Sequence, residues 1–215
     1  MEFLATSFSD GLAWRVLAAY LLGGVPFGFM LCRLIKGVDL RTVGSGNIGA
    51  TNAMRVLGKP LGLLAFFLDT FKGYAPVAFM AGSDPSWQVA CGAAAVCGHV
   101  WPVYLKFKGG KAVATGIGAI LAFDPLVVAI SGLVWILTMA LMGYVSLSSI
   151  AMGLAFPLAA WSRGQPPVVI FGTALLTLLI LVRHRSNMRR LIAGEESRTQ
   201  LWSKIRGRTT PANKE

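Results

Sequence analysis

Three glycine-rich polar stretches gather the residue types that hold oxyanions. The first is Gly44-Ser45-Gly46-Asn47-Ile48-Gly49-Ala50-Thr51-Asn52, followed by Arg55. The second is Asp69-Thr70-Phe71-Lys72-Gly73. The third runs Gly98-His99-Val100-Trp101-Pro102 and then Phe107-Lys108-Gly109-Gly110-Lys111-Ala112. Glycine lets the backbone approach an anion closely, so its N–H groups become donors, and Lys, Arg, Ser, Thr and Asn side chains complete the cradle. The expectation is a site for two phosphate-bearing ligands, with Lys108 and Lys111 flanking Gly109-Gly110 ahead of a helix.

Other chemistries fit less well. Gly44-x-Gly46-x-x-Gly49 has the spacing of a dinucleotide loop, but Val38-Asp39-Leu40-Arg41 before it is a poor strand and no βαβ unit surrounds it. The third stretch is not a nucleotide P-loop, because Ala112 stands where Ser or Thr is needed. His99 and His184 are the only histidines, and at the fifth position after them stand Tyr104 and Arg189 rather than Asp. No Ser-His-Asp order or metal-ligand cluster is apparent, so neither metal nor cofactor is expected. His99, near the middle of an apolar run, reads as structural, whereas His184 between Arg183 and Arg185 is placed to touch a phosphate. Asp69 and Lys72 lie three apart on one helix face, midway along an apolar run. An ionisable pair there marks a functional site by default, with a packing ion pair as the plain alternative.

The elements that must position these residues are membrane spans. Of the 215 residues, 55% are hydrophobic and 13% charged. A soluble domain carries roughly 25% charge. The net charge of +11 invites a nucleic-acid partner, but Lys and Arg cluster between apolar runs, which excludes that reading. The runs are 16–32, 61–81, 87–105, 113–123, 126–142, 150–161 and 168–182. The fourth is short and either crosses incompletely or re-enters. Residues 51–57 form a short amphipathic interfacial helix, and 143–149 a polar break. With the N-terminus outside and the C-terminus cytoplasmic, 17 of the 20 Lys and Arg face the cytoplasm. Residues 1–196 then make one transmembrane domain and 197–215 a basic cytoplasmic tail. The first run is retained, not cleaved, and Cys32, Cys91 and Cys97 are buried free thiols.

In order, these stretches resemble the PlsY family of bacterial membrane glycerol-3-phosphate acyltransferases. The likeness rests on the glycine loop at 44–52, Asp-x-x-Lys-Gly at 69–73, Gly-His-x-x-Pro at 98–102, Phe-x-Gly-Gly-Lys at 107–111 and Arg183-His184-Arg185-Ser186-Asn187-Met188-Arg189-Arg190-Leu191. It covers most of residues 15–196. The family usually has Gly where Ala112 stands, and a methyl group there would crowd an approaching phosphate.

The resemblance implies an all-α polytopic membrane enzyme with about seven transmembrane helices. Its activity would move an acyl chain from acyl phosphate to glycerol 3-phosphate, giving 1-acylglycerol 3-phosphate and phosphate for phospholipid synthesis. The site would face the cytoplasm at the bacterial inner membrane, beside lipid, with no coenzyme A or acyl carrier protein. By resemblance, Ser45 to Asn52 hold the acyl-phosphate headgroup, and Arg55, Lys111, Ser146 and His184 hold glycerol 3-phosphate. Ser45, Asn47, Lys111 and His184 form the candidate catalytic set. Gly46, Gly49, Thr51, Asn52, Arg55, Lys72, Lys108, Gly109, Gly110, Ser146, Arg183 and Asn187 form the candidate substrate-binding set, with Asp69 and His99 orienting. No side chain is an obvious base for the attacking hydroxyl, so a substrate phosphate oxygen is expected to take its proton. The rival is a transporter of a phosphorylated solute, which interrupted spans and a buried ion pair would suit. No internal repeat supports it.

Overall fold

The computed structural model describes residues 12–199, and every regular element among them is helical. α1 (Leu12–Gly24) and α2 (Phe27–Lys36) are one apolar segment, broken at Val25-Pro26 because proline lacks an N–H and blocks the continuing helix. After a polar loop come α3 (Ala50–Leu57) and α4 (Lys59–Ala75), which runs on through a π-turn at Pro76–Met80. Then follow α5 (Pro85–Val100), a 3₁₀ turn (Val103–Leu105), α6 (Val113–Phe123), α7 (Pro125–Met142), α8 (Val145–Ser162), α9 (Pro167–Arg183) and α10 (Arg185–Ile192). Asp84 and Asp124 cap α5 and α7, each accepting from the second N–H of its helix with Pro at the first position.

The chain is an integral, multi-pass membrane protein. Ala13–Lys36, Lys59–Met80, Pro125–Met142 and Val145–Ser162 are each long and apolar enough to cross a bilayer. A fifth candidate joins α9 and α10, which bend by 57° at His184. The shorter apolar helix α6 adds to these candidates, and the 16-residue α5 lies among them. Length and composition qualify only four or five of them on their own. α7 leaves Leu133, Ile136, Leu137 and Leu141 exposed, a face whose solvent is lipid.

Lipid tails are as apolar as the helix surfaces, so close packing rather than hydrophobic burial holds such a bundle together. α1 packs on α5 where a Cβ at Gly23 would overlap the Ala95 backbone, and one at Gly98 the Tyr20 carbonyl. α4 packs on α6 where Gly73 meets the Thr115 carbonyl and Gly118 meets that of Thr70.

The loops alternate between two ends. At one end lie 37–49, 101–112, 143–144 and the segment after Arg183; Thr199 N donates to the Gly143 carbonyl there at 2.9 Å. At the other, Arg15 reaches the Met80 carbonyl (3.1 Å), and Asp124 accepts from Arg163 and Gln165 at 3.0 Å each. This is the alternation seven crossings require. α6 links the two ends by only ~16 Å of helix, against ~27 Å for the 18-residue α7 and α8, so its ends lie inside the rims those helices set.

Several boundaries differ from the sequence reading. The run at 87–105 ends as helix at Val100, because Pro102 cannot extend it. His99 therefore lies in the last turn of α5, not mid-span. The polar break at 143–149 shrinks to two residues. Ser148 and Ser149 enter α8 by donating their hydroxyls to the carbonyls four residues back, each at 2.8 Å. The interfacial helix starts one residue earlier, at Ala50. The tail expected over 197–215 lies, beyond Thr199, outside the described residues, as do residues 1–11. Cys32 and Cys91 are buried, Cys97 is partly buried, and all three are free.

Candidate active site

The third stretch is built by contact with the end of α5. Gly109 N donates to the Val100 carbonyl (3.1 Å) and Gly110 N to that of His99 (3.0 Å). Both glycine carbonyls accept from the Arg183 guanidinium, at 2.9 and 3.0 Å. A Cβ on Gly110 would strike the His99 ring, and one on Gly109 the His99 carbonyl. Gly109 and Gly110 thus allow close approach of loop to helix, and their N–H groups are engaged within the protein. This corrects the reading that they present those N–H groups to an anion. Arg183, expected on substrate, holds the loop instead.

The same correction applies to the first stretch. Gly46 N donates to the Val43 carbonyl (3.0 Å) and Gly49 N to Asn47 Oδ1 (2.9 Å). Asn52, 1% exposed, is the pin: its Oδ1 accepts from Ser45 N, and its Nδ2 lies 3.0 Å from the carbonyls of Leu40, Val43 and Asn47. With its amide engaged at both ends, Asn52 shapes the loop. Of the side chains the loop displays, Ser45, Thr51 and Arg55 are exposed and Asn47 is half-buried. Lys108 is exposed as well.

Lys72, expected on substrate, is instead 1% exposed inside the bundle. Its ammonium pairs with Asp69 Oδ1 at 2.6 Å and donates to the Val25 carbonyl at 2.7 Å. That carbonyl belongs to the α1–α2 break, where Phe27 N also donates to it at 3.2 Å. The Asp69–Lys72 pair thus ties α4 to the break between α1 and α2.

What converges is a second group. Lys111, half-buried just before α6, donates to Asn187 Oδ1 on α10 at 2.6 Å. Burial pushes its ammonium down to about 8; Glu196 resists that shift, and Arg190, Arg55 and Arg183 add to it. Arg55 of α3 therefore bears on the same charge, which joins the first stretch to the third. His184, 3% exposed at the α9–α10 bend, has Nδ1 2.9 Å from the Ile180 carbonyl. That fixes the proton on Nδ1 and leaves Nε2 for a partner. Buried Ser146 opens α8 beside Glu196.

Ala112 has a left-handed backbone (φ 67°) and is fully buried against Val96, Val100 and Ile120. Its methyl group faces the core, so it does not crowd a phosphate, contrary to expectation. Two members of the cluster were not read from the sequence: Arg190 and Glu196. The signal was there, as Glu195-Glu196 interrupts an otherwise basic segment.

An apolar groove of about 490 Å³ runs along α2 and the 3₁₀ turn, lined by Val25, Pro26, Phe29, Met30, Tyr104 and Leu105. A cluster of basic side chains at one end of a helical membrane bundle that also carries an apolar groove fits a class: a membrane protein that handles anionic headgroups carrying apolar chains. The family model described as glycerol-3-phosphate acyltransferase matches residues 13–194. The glycerol-3-phosphate acyltransferase of Aquifex aeolicus (strain VF5) is 46% identical over 186 residues, 85% of this chain and 96% of the relative. That of Trichlorobacter lovleyi is 44% identical over 190 residues, 87% and 97% of the two chains. The crystal structure of PlsY, an integral membrane glycerol 3-phosphate acyltransferase, in its glycerol 3-phosphate form superposes with a TM-score of 0.86 at 42% identity, covering 91% of this chain and 98% of that one. Its lysophosphatidic acid form gives 0.84 at 41%. The chain belongs to the glycerol-3-phosphate acyltransferase family.

Proposed function

We propose that this protein transfers a fatty acyl group from acyl phosphate to glycerol 3-phosphate at the cytoplasmic face of a bacterial inner membrane. The products are 1-acylglycerol 3-phosphate and inorganic phosphate. The observation that carries the reading is the convergence of Lys111, Asn187, Ser146 and His184, with Arg55 in electrostatic range, at the end of the bundle that also displays Ser45 and Asn47. Charge-dense donors suit a phosphate, and the apolar groove suits an acyl chain. The Lys and Arg of 33–59, 105–111 and 183–198, which lie toward this end, support a cytoplasmic assignment.

The chemistry is a single displacement. The glycerol hydroxyl oxygen bonds to the acyl carbon, the bond from that carbon to the phosphate oxygen breaks, and phosphate leaves with the hydroxyl proton. A phosphate oxygen is the base, and the protein supplies position and positive charge. His99 is 4% exposed and packed on Gly110, out of reach of a hydroxyl.

The test is purified protein in detergent with acyl phosphate and glycerol 3-phosphate, following phosphate release, and again with acyl-CoA as donor. Activity is expected with acyl phosphate alone. No release would favour a transporter, and equal use of acyl-CoA would remove the donor assignment. His184→Gln and His99→Gln should each keep most of kcat; a collapse of kcat with KM intact in either would identify a protein base.

A further inference from the structure

Glu196 has no part in that displacement, yet its carboxylate sits inside the cluster, with its side chain 9% exposed. Oε1 accepts from Asn187 Nδ2 and Oε2 from Arg190 Nε, both at 2.7 Å. Asn187 and Arg190 are three apart on α10 and share a face. An asparagine amide is an acceptor at one end and a donor at the other, so two unlike neighbours fix its orientation. Here the carboxylate takes Nδ2, and Oδ1 turns to Lys111 Nζ at 2.6 Å. The reversed amide would set donor against donor at Lys111 and acceptor against acceptor at Glu196.

The segment that carries Glu196 is itself tied down. A left-handed Gly194 (φ 71°) turns the chain back, and the N–H groups of Glu195 and Glu196 donate to the Arg190 carbonyl at 2.8 and 3.2 Å. Thr199 N bonds the Gly143 carbonyl at 2.9 Å, and the Arg198 guanidinium lies 4.9 Å from the centre of the Tyr144 ring. The strap therefore spans from α10 to the loop that opens α8.

We propose that Glu196 is a positioning residue for acyl transfer: through Asn187 it sets where the Lys111 ammonium is held. The proposal rests on the function inferred above. Glu196 is not the missing base. Burial alone would raise its carboxyl, but the hydrogen bonds from Asn187 and Arg190 hold it below the ordinary glutamate value, so both its oxygens are engaged. Among the described residues it is the one carboxylate whose charge bears on Lys111, against Arg55 from α3, Arg183 from α9 and Arg190 from α10. Neutral His184 stands at the bend.

The experiment uses full-length enzyme in detergent. Glu196→Gln keeps the shape but sets an NH₂ against Asn187 or Arg190. KM for glycerol 3-phosphate should rise by about tenfold, KM for acyl phosphate should hold, and kcat should change little. The alkaline limb of kcat/KM should move to lower pH, since removing a nearby negative charge makes Lys111 easier to deprotonate. In an Asn187→Ala background the same substitution should add almost nothing. A merely structural role would lower the thermal midpoint and the active fraction, leaving KM and the pH limb unmoved, and would overturn the proposal. So would fully additive losses, or a KM that falls, which would make the carboxylate a competitor of the substrate. Should Glu196→Gln not fold, Glu196→Asp retracts the charge by one methylene. It should raise KM with the pH limb nearly fixed, and an unchanged KM counts against the idea. An inactive wild-type enzyme would sink the function reading instead, so the two failures are distinguishable.

Discussion

Of the three lysines in the glycine-rich motifs of this chain, the fold treats Lys72 and Lys111 in opposite ways. Lys72 is 1% exposed, paired with Asp69 at 2.6 Å, bonded to the Val25 carbonyl and 5.7 Å from the centre of the Phe27 ring. Its charge is matched and its surroundings are closed. Lys111 donates to a neutral amide oxygen, and three guanidinium groups and one carboxylate bear on it. Excess positive charge in a half-buried place is unfavourable until an anion arrives, which is the electrostatic signature of a site rather than a joint. The motif that looked most functional by its depth in an apolar run is architecture. The motif at the mouth of a loop, around Lys111, carries the unbalanced positive charge.

The largest expected effect breaks the first half of that contrast. Asp69→Asn leaves the Lys72 ammonium buried without its counter-charge, at a cost of about 3–5 kcal/mol. The thermal midpoint in detergent should drop sharply. Replacing both partners, Asp69→Leu with Lys72→Met, should recover much of the loss. Normal stability with lost activity in Asp69→Asn would move the pair into the active site.

Lys111→Ala tests the other half. A hydrogen bond to a charged group is worth roughly 1.5–3 kcal/mol, so kcat/KM for glycerol 3-phosphate should fall at least about tenfold. The thermal midpoint should stay near that of the wild type. Unchanged kinetics would take Lys111 out of the site.

The same contrast shows what the sequence could carry. α6 was read with its observed ends, because Gly110-Lys111 and Asp124-Pro125 punctuate it. α8 was cut short, since three serines look like a loop until the hydroxyls of Ser148 and Ser149 are seen bonding back to the helix. Glycines in the first and third stretches signal tight backbone paths, but composition does not say where an N–H points. The coordinates direct those of Gly46, Gly49, Gly109 and Gly110 inward. Asn52 and Asn187 are the same residue type with opposite tasks, and only the partners of each amide separate them. Glu196 escaped notice because its meaning depends on a turn at Gly194 that brings it back over α10.

The smallest expected effect is a pH dependence, and it sharpens the contrast without a mutation at the fold's joints. Burial holds the Lys111 ammonium at about 8 rather than at the ordinary lysine value. A lysine with a lowered pKa loses its charge as pH rises through that lowered value, while the substrate phosphate is already dianionic above roughly 6. kcat/KM for glycerol 3-phosphate should therefore be level near pH 7 and fall above about 8, approaching tenfold per unit if only the protonated form binds. At saturating glycerol 3-phosphate the limb in kcat should sit at higher pH, because a bound dianion favours the charged ammonium. Lys111→Arg keeps its charge throughout this range, so its profile should lose the limb even if its activity is lower. A wild-type profile that stays level beyond pH 9.5, or an arginine variant with the same limb, would mean that some group other than Lys111 holds the substrate's phosphate.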